Sequence, residues 1–119
     1  MTDKAKHEPA RDPQDLERML VARQRIGDVE GMLALFEPEA VIDAGDGRVT
    51  RGTAAIRALY VEMVASGRKF AMGEQRPALI NGELAMTSTR SSDGSVTSEV
   101  ARRQSDGTWL WVIDKYSVL

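Results

Sequence analysis

The chain has 119 residues, 42% hydrophobic and 29% charged, with a net charge of −2. That is one domain able to build its own core, and the composition excludes disordered, collagen-like and low-complexity classes. There are no cysteines and a single histidine, His7, which excludes disulfides, thiolate metal sites and cysteine nucleophiles and makes a histidine-based metal site or triad improbable. No cofactor or metal is therefore expected. No lysine/arginine block stands out, so nucleic acid is not an expected partner. No apolar run approaches a membrane span and Met1–Arg11 lacks the apolar core of a signal peptide, so the expected location is cytoplasmic.

Residues 1–11 are polar and patternless and read as a flexible N-terminal tail, with one domain over 12–119. Asp12-Pro13 opens a first helix, since aspartate caps and proline suits the first position. Leu16, Met19, Leu20 and Arg23 recur at helical spacing up to Gly27. Asp28 caps a second short helix whose apolar positions are Val29, Met32, Leu33 and Phe36, with Pro38 as its stop. Ala40-Val41-Ile42 is a strand closed by Gly45-Asp46-Gly47. Thr53 caps a third helix carrying Ile56, Leu59, Tyr60, Met63 and Val64 on one face. From Phe70 the period changes to two, predicting strands near 69–76, 83–91, 95–104 and 108–118, with turns at Asp93-Gly94 and Ser105-Asp106-Gly107. Helices first and an antiparallel meander last make an α+β domain, a curved, mostly antiparallel sheet wrapped over three helices.

Four stretches in this order carry a family resemblance: Gly27–Phe36, Ala40-Val41-Ile42-Asp43, Arg51–Arg57, and Glu99–Gln104 with Asp106-Gly107-Thr108-Trp109. Together they resemble the nuclear-transport-factor-like superfamily, which includes ketosteroid isomerase and SnoaL-like polyketide cyclases. The resemblance implies a cystatin-like cone with a pocket between the concave sheet face and the helices, and dimerisation through the outer sheet face. It covers nearly the whole domain and is far more specific for fold than for function.

Ketosteroid isomerases use a carboxylate base and an oxyanion hole made by a tyrosine and a protonated aspartic acid. Carried over by the same matching, the tyrosine falls on Leu20, the base on Ala44 and the second acid on Val100. All three roles are missing. Asp43 stands one residue from the base position; alternation turns it away from the pocket unless a bulge intervenes, so it reads as a turn carboxylate or, with a bulge, as a substitute base.

The matching also places Val112, Asp114 and Tyr116 on the concave face of the last strand, and Ser98, Val100 and Arg102 on its neighbour. Leu84 and Met86 suggest an inward face that carries Ser88 and Arg90 with it. Tyr60 belongs to the core, with its hydroxyl free to reach the cavity. The resulting pocket is amphipathic, with Asp114 and Tyr116 as catalytic candidates and Arg102, Arg90, Val100, Val112, Ser98, Tyr60, Ala44 and Leu20 as ligand contacts. An Asp114–Arg102 contact would make a structural ion pair and would oppose a basic role for Asp114. Trp109, Trp111 and Ile113 fall on the opposite, convex face; a homodimer or a fold of the N-terminal segment would cover them.

These features predict a SnoaL-like small-molecule pocket protein. One reading is a cofactor-free acid/base enzyme acting on a small hydrophobic or acidic metabolite. The other is a non-catalytic binder or accessory dimer.

Overall fold

In the computed structural model, which describes residues 7–45 and 47–118, the first helix is set by two aspartates. Asp12 accepts the Gln14 N–H, and Asp15 accepts the N–H groups of Arg11 and Asp12. Pro13 lies in the turn so formed, and α1 runs Asp15–Arg25, two residues later than the capping pattern suggests. Asp28 does cap α2 (Val29–Leu33), accepting the Gly31 N–H at 3.0 Å. Helix α3 is Thr53–Ala65, and Gly52, at φ 87°, occupies its cap in place of Thr53. The buried stripes Leu16, Met19, Leu20 and Ile56, Tyr60 are those expected from helical spacing.

Among the described residues there are eight strands, numbered in chain order: β1 (Phe36–Asp43), β2 (Val49–Arg51), β3 (Glu74–Gln75), β4 (Leu79–Asn81), β5 (Leu84–Thr87), β6 (Thr89–Arg90), β7 (Ser98–Arg103) and β8 (Trp109–Lys115). Six form one sheet in the order β2-β1-β8-β7-β5-β4, and β3 pairs with β6 separately. Among the described residues only the β1–β8 pairing is parallel. The α+β expectation holds, with local corrections. Strand β1 begins at Phe36 and runs through Pro38, which the sheet tolerates because the register jumps between Phe36 and Val41. The strand expected over 69–76 contracts to β3, and the one over 83–91 breaks into β5 and β6.

The decisive irregularity is in β8. Val100 pairs with Ile113, yet Ala101 pairs with Trp111, so Val112 is an extra residue, a β-bulge. Below the bulge Trp109 and Trp111 face inward; above it Asp114 does. Unbroken alternation would have sent the tryptophans outward. They are instead 6% and 1% exposed, so the convex patch assigned to them does not exist, and Ile113 alone of the three faces out, at 47%. Trp111 packs on Phe36 with ring centroids 5.1 Å apart, and Phe36 on Tyr60 at 5.9 Å.

Residues 7–11 are not a free tail, and 1–6 lie outside the described residues. Ala10, 1% exposed, bridges Trp109 and accepts its N–H at 2.9 Å. His7 meets Asp28 at 3.0 Å, and Arg23 donates to the carbonyls of Glu8 and Gly31. Arg23 is thus buried, and those carbonyls replace its lost hydration. Among the described residues no helix is long and apolar enough to cross a membrane.

Trp111 joins the sheet to the helices, although its buried indole N–H has no partner among the described residues. Trp111→Ala is expected to cost about 3–5 kcal/mol in chemical denaturation, the range for emptying an aromatic site in a packed core.

Candidate functional site

A cavity of about 480 Å³ opens between α1, the upper halves of β7 and β8, and two loops. Helix α1 contributes Glu17 and Leu20, three apart and so on one face. Strand β7 contributes Glu99, and β8 contributes Asp114, with Tyr116 just beyond its end. The end of β1 adds Ala44. Arg68 to Met72 and the loop from Ser91 to Thr97 make the mouth.

The floor is a cluster of carboxyl groups. Glu99 and Asp114 are register partners on the same face of adjacent strands, 2% and 4% exposed. Glu17 faces them from the helix. Burial pushes the Asp114 carboxyl well above its usual range, and the neighbouring Glu99 and Glu17 push it further. Burial also raises Glu99, although hydroxyls of Thr97 and Thr87 stabilise its charge; Thr87 Oγ1 donates to Oε1 at 2.8 Å. Glu17 moves from 4.5 to about 7, through burial first and Glu99 second. Asp114 accepts no hydrogen bond from any described residue. A carboxyl so placed holds its proton more readily than it holds charge.

Tyr116 lines the same cavity and stacks edge-on against Phe70, ring centroids 6.4 Å apart. Its hydroxyl donates to that of Tyr60 at 3.2 Å. Both phenols are pushed upward by burial, so they stay neutral donors. Since hydroxyl protons rotate, Tyr60 can instead be the donor, which turns the Tyr116 O–H toward the cavity.

Of the residues singled out in the sequence, the structure brings Asp114, Tyr116, Ala44 and Leu20 to the cavity wall. Tyr60 is fully buried behind Tyr116. The rest go elsewhere. Because Glu99 and Ala101 face inward, Ser98, Val100 and Arg102 lie on the outer face, and Arg102 Nε donates to Glu37 at 3.0 Å. No Asp114–Arg102 pair forms. On β5 and β6, Ala85, Thr87 and Thr89 point in, so Leu84, Met86 and Arg90 point out. Val112 is the bulge residue and does not border the cavity. Asp43 is a turn carboxylate: it accepts from the Gly45 N–H and Lys115 Nζ, each at 2.9 Å, and these hold its carboxyl below the usual range.

The arginines expected inside are therefore replaced by two glutamates that sequence reasoning missed. Glu17 carried a faint signal, lying between Leu16 and Leu20 on a buried helix face. Glu99 carried one only through the pairing of β7 with β8.

No family model matches the chain, and no curated protein matches it. Solved structures do. An NTF2-like protein of unknown function from Pseudomonas putida KT2440 superposes with a TM-score of 0.65 at 19% identity, over 98% of this chain and 88% of that one. A domain of unknown function with a cystatin-like fold from Nostoc punctiforme gives 0.70 at 18%, over 88% and 75%. A protein described as a putative calcium/calmodulin-dependent protein kinase type II association domain, from Thiobacillus denitrificans, gives 0.68 at 17%, over 90% and 93%. The fold is NTF2-like. At these identities the likeness extends to architecture alone: helices packed against a mostly antiparallel sheet.

The carboxyl floor has a thermodynamic signature. Between the ordinary glutamate value of 4.5 and about 7, folded Glu17 keeps a proton that the unfolded chain has lost. Its protonated form thus contributes stability that is full below the lower value and lost as pH rises through the upper one. Thermal unfolding is expected to fall in midpoint from about pH 5 to about pH 8, and Glu17→Gln to flatten that decline by up to about 3 kcal/mol.

Proposed function

We propose that the cavity binds a small, largely apolar organic molecule and that the protein is a cofactor-free acid/base enzyme of isomerase, cyclase, dehydratase or hydrolase type. The supporting observation is Asp114: an enclosed carboxyl with no hydrogen-bond partner among the described residues, bordering a cavity of ligand size. Such a group has its proton-transfer chemistry unspent, and burial raises its pKa, so it holds a proton that it can give. In this reading Asp114 exchanges a proton with the substrate. Tyr116 steadies developing negative charge on a substrate oxygen by donating its O–H. Tyr60 is a positioning residue that holds the Tyr116 ring. Leu20, Phe70 and Met72 exclude water from the reacting atoms.

The metabolite is hydrophobic rather than acidic in this reading, because the arginines that favoured an anion lie outside the cavity. A standard ketosteroid isomerase is not proposed: Leu20 and Ala44 border the cavity without polar side chains, and Val100 is turned outward. Those blank positions favour the alternative, a binder without chemistry of its own.

The outer sheet face supports a homodimer in the same reading, on residues other than the tryptophans. Leu79, Met86, Val100, Ile113 and Val41 are successive register partners across five strands. Leu79, Met86 and Ile113 are 72%, 52% and 47% exposed. A second copy laid on this row would cover an apolar band that solvent otherwise wets.

Two measurements check these readings. Proton exchange from deuterated water into a panel of small apolar carbonyl compounds, followed by NMR, is expected to drop about 10²–10⁴-fold in Asp114→Asn and less in Tyr116→Phe. Unchanged rates in both variants reject these roles. Sedimentation is expected to give a dimer for the natural chain and a monomer for Met86→Lys with Ile113→Lys; a natural monomer removes the dimer.

A further inference from the structure

We infer that the cavity is selective for an amine: a small molecule with a protonated N–H group on an apolar body, its ammonium seated between Asp114, Glu99 and Glu17. This names the ligand class of the site proposed above and rests on that reading. The first observation is the sign of the cavity floor. Carboxyl groups converge there from three elements, Glu17 on α1, Glu99 on β7 and Asp114 on β8. The remaining titratable groups against the floor, Tyr116 and Tyr60, are neutral phenols.

The second observation is independent of the first: Asp114, 4% exposed, borders the cavity without a donor from any described residue. Buried polar groups ordinarily have at least one hydrogen-bond partner. A donor that enters the cavity can supply the one Asp114 lacks. An N–H-bearing ammonium supplies both the charge and the hydrogen bond, whereas a quaternary ammonium supplies charge only and an anion supplies neither.

The cations in the wall are at the mouth, not the floor. Arg68 and Lys69 are exposed, Lys69 Nζ donates to the Arg25 carbonyl, and Asp93 lies across from Arg68. They leave the floor unneutralised. Among the described residues no three His, Asp or Glu groups are arranged to hold a metal ion, so the carboxyls line the floor without closing around a single point, and Asp114 is the one that takes the ammonium directly. The aromatic wall suits the rest of an organic cation: Phe70 and Tyr116 meet edge to face, and an aromatic face attracts an ammonium or an apolar body.

Binding of this kind is coupled to protons. Burial disfavours charge on all three carboxyls, and neighbouring carboxylates add to this at Glu17 and Asp114, so each binds its proton more tightly than in the unfolded chain. An ammonium arriving among them reverses that preference, so protons leave to solvent as it binds. A neutral guest leaves protonation unchanged.

The test compares three probes of similar size on the full chain by calorimetry near neutral pH, in two buffers of different ionisation enthalpy: 2-phenylethylamine, 2-phenylethanol and phenylacetate. The amine is expected to bind most tightly and to release protons, and Asp114→Asn to weaken it by roughly tenfold to a hundredfold while weakening the alcohol far less. Glu99→Gln serves as a second variant, with a smaller loss expected in the same direction. Equal or tighter binding of the alcohol or the carboxylate overturns the amine assignment and leaves a small-molecule pocket standing. Binding of the amine without proton release, or with undiminished affinity in Asp114→Asn and Glu99→Gln, overturns it too. No binding by any probe up to roughly 10 mM overturns both the assignment and the pocket reading.

Discussion

One extra residue in the last strand organises this molecule. Side chains along β8 alternate between two faces, and each face can serve only one purpose along an unbroken run. Val112 breaks the run opposite Val100 and Ala101. The lower part of the strand then gives Trp109 and Trp111 to the core, and the upper part gives Asp114 to the cavity, with Tyr116 following. A regular strand would offer the tryptophans or the Asp114–Tyr116 pair to the concave side, never both. The bulge lets one strand act as core below and site above.

The consequences spread through pairing. Strand β7 has no bulge, so its alternation is regular: Ala101 lies beside Trp111 and Glu99 beside Asp114. Small Ala85 and Ala101 make room under the sheet for the indole, which explains why the large residues of β5, Leu84 and Met86, are displaced to the outer face. The site inherits its acidity from the same register. A carboxyl from each of two strands and a third from α1 line one floor, and burial raises the pKa of all three.

The N-terminal segment belongs to this arrangement as well. Ala10 pairs with Trp109, and His7 joins the Asp28 cap, so residues 7–11 close over the part of the core that the tryptophans fill. Below the bulge the molecule is closed by aromatic packing. Above it the walls separate, and the loops of Arg68–Met72 and Ser91–Thr97 leave an opening to solvent.

Much of the frame was legible in residue order. The Asp28 cap, the stripe of Ile56 and Tyr60 and the turn carboxylate Asp43 follow from local chemistry: capping, helical spacing and turn hydrogen bonding. These depend on neighbours within a few residues. The inward Asp114 and Tyr116 came from the family resemblance. The inward tryptophans, the outward Arg102 and Arg90, and the presence of Glu99 and Glu17 in the cavity depend instead on where one strand meets the next. A bulge at Val112 has no local mark, since valine suits a regular strand equally well. Only the pairing of β7, β8 and β1 in space decides it, and with it the charge of the site.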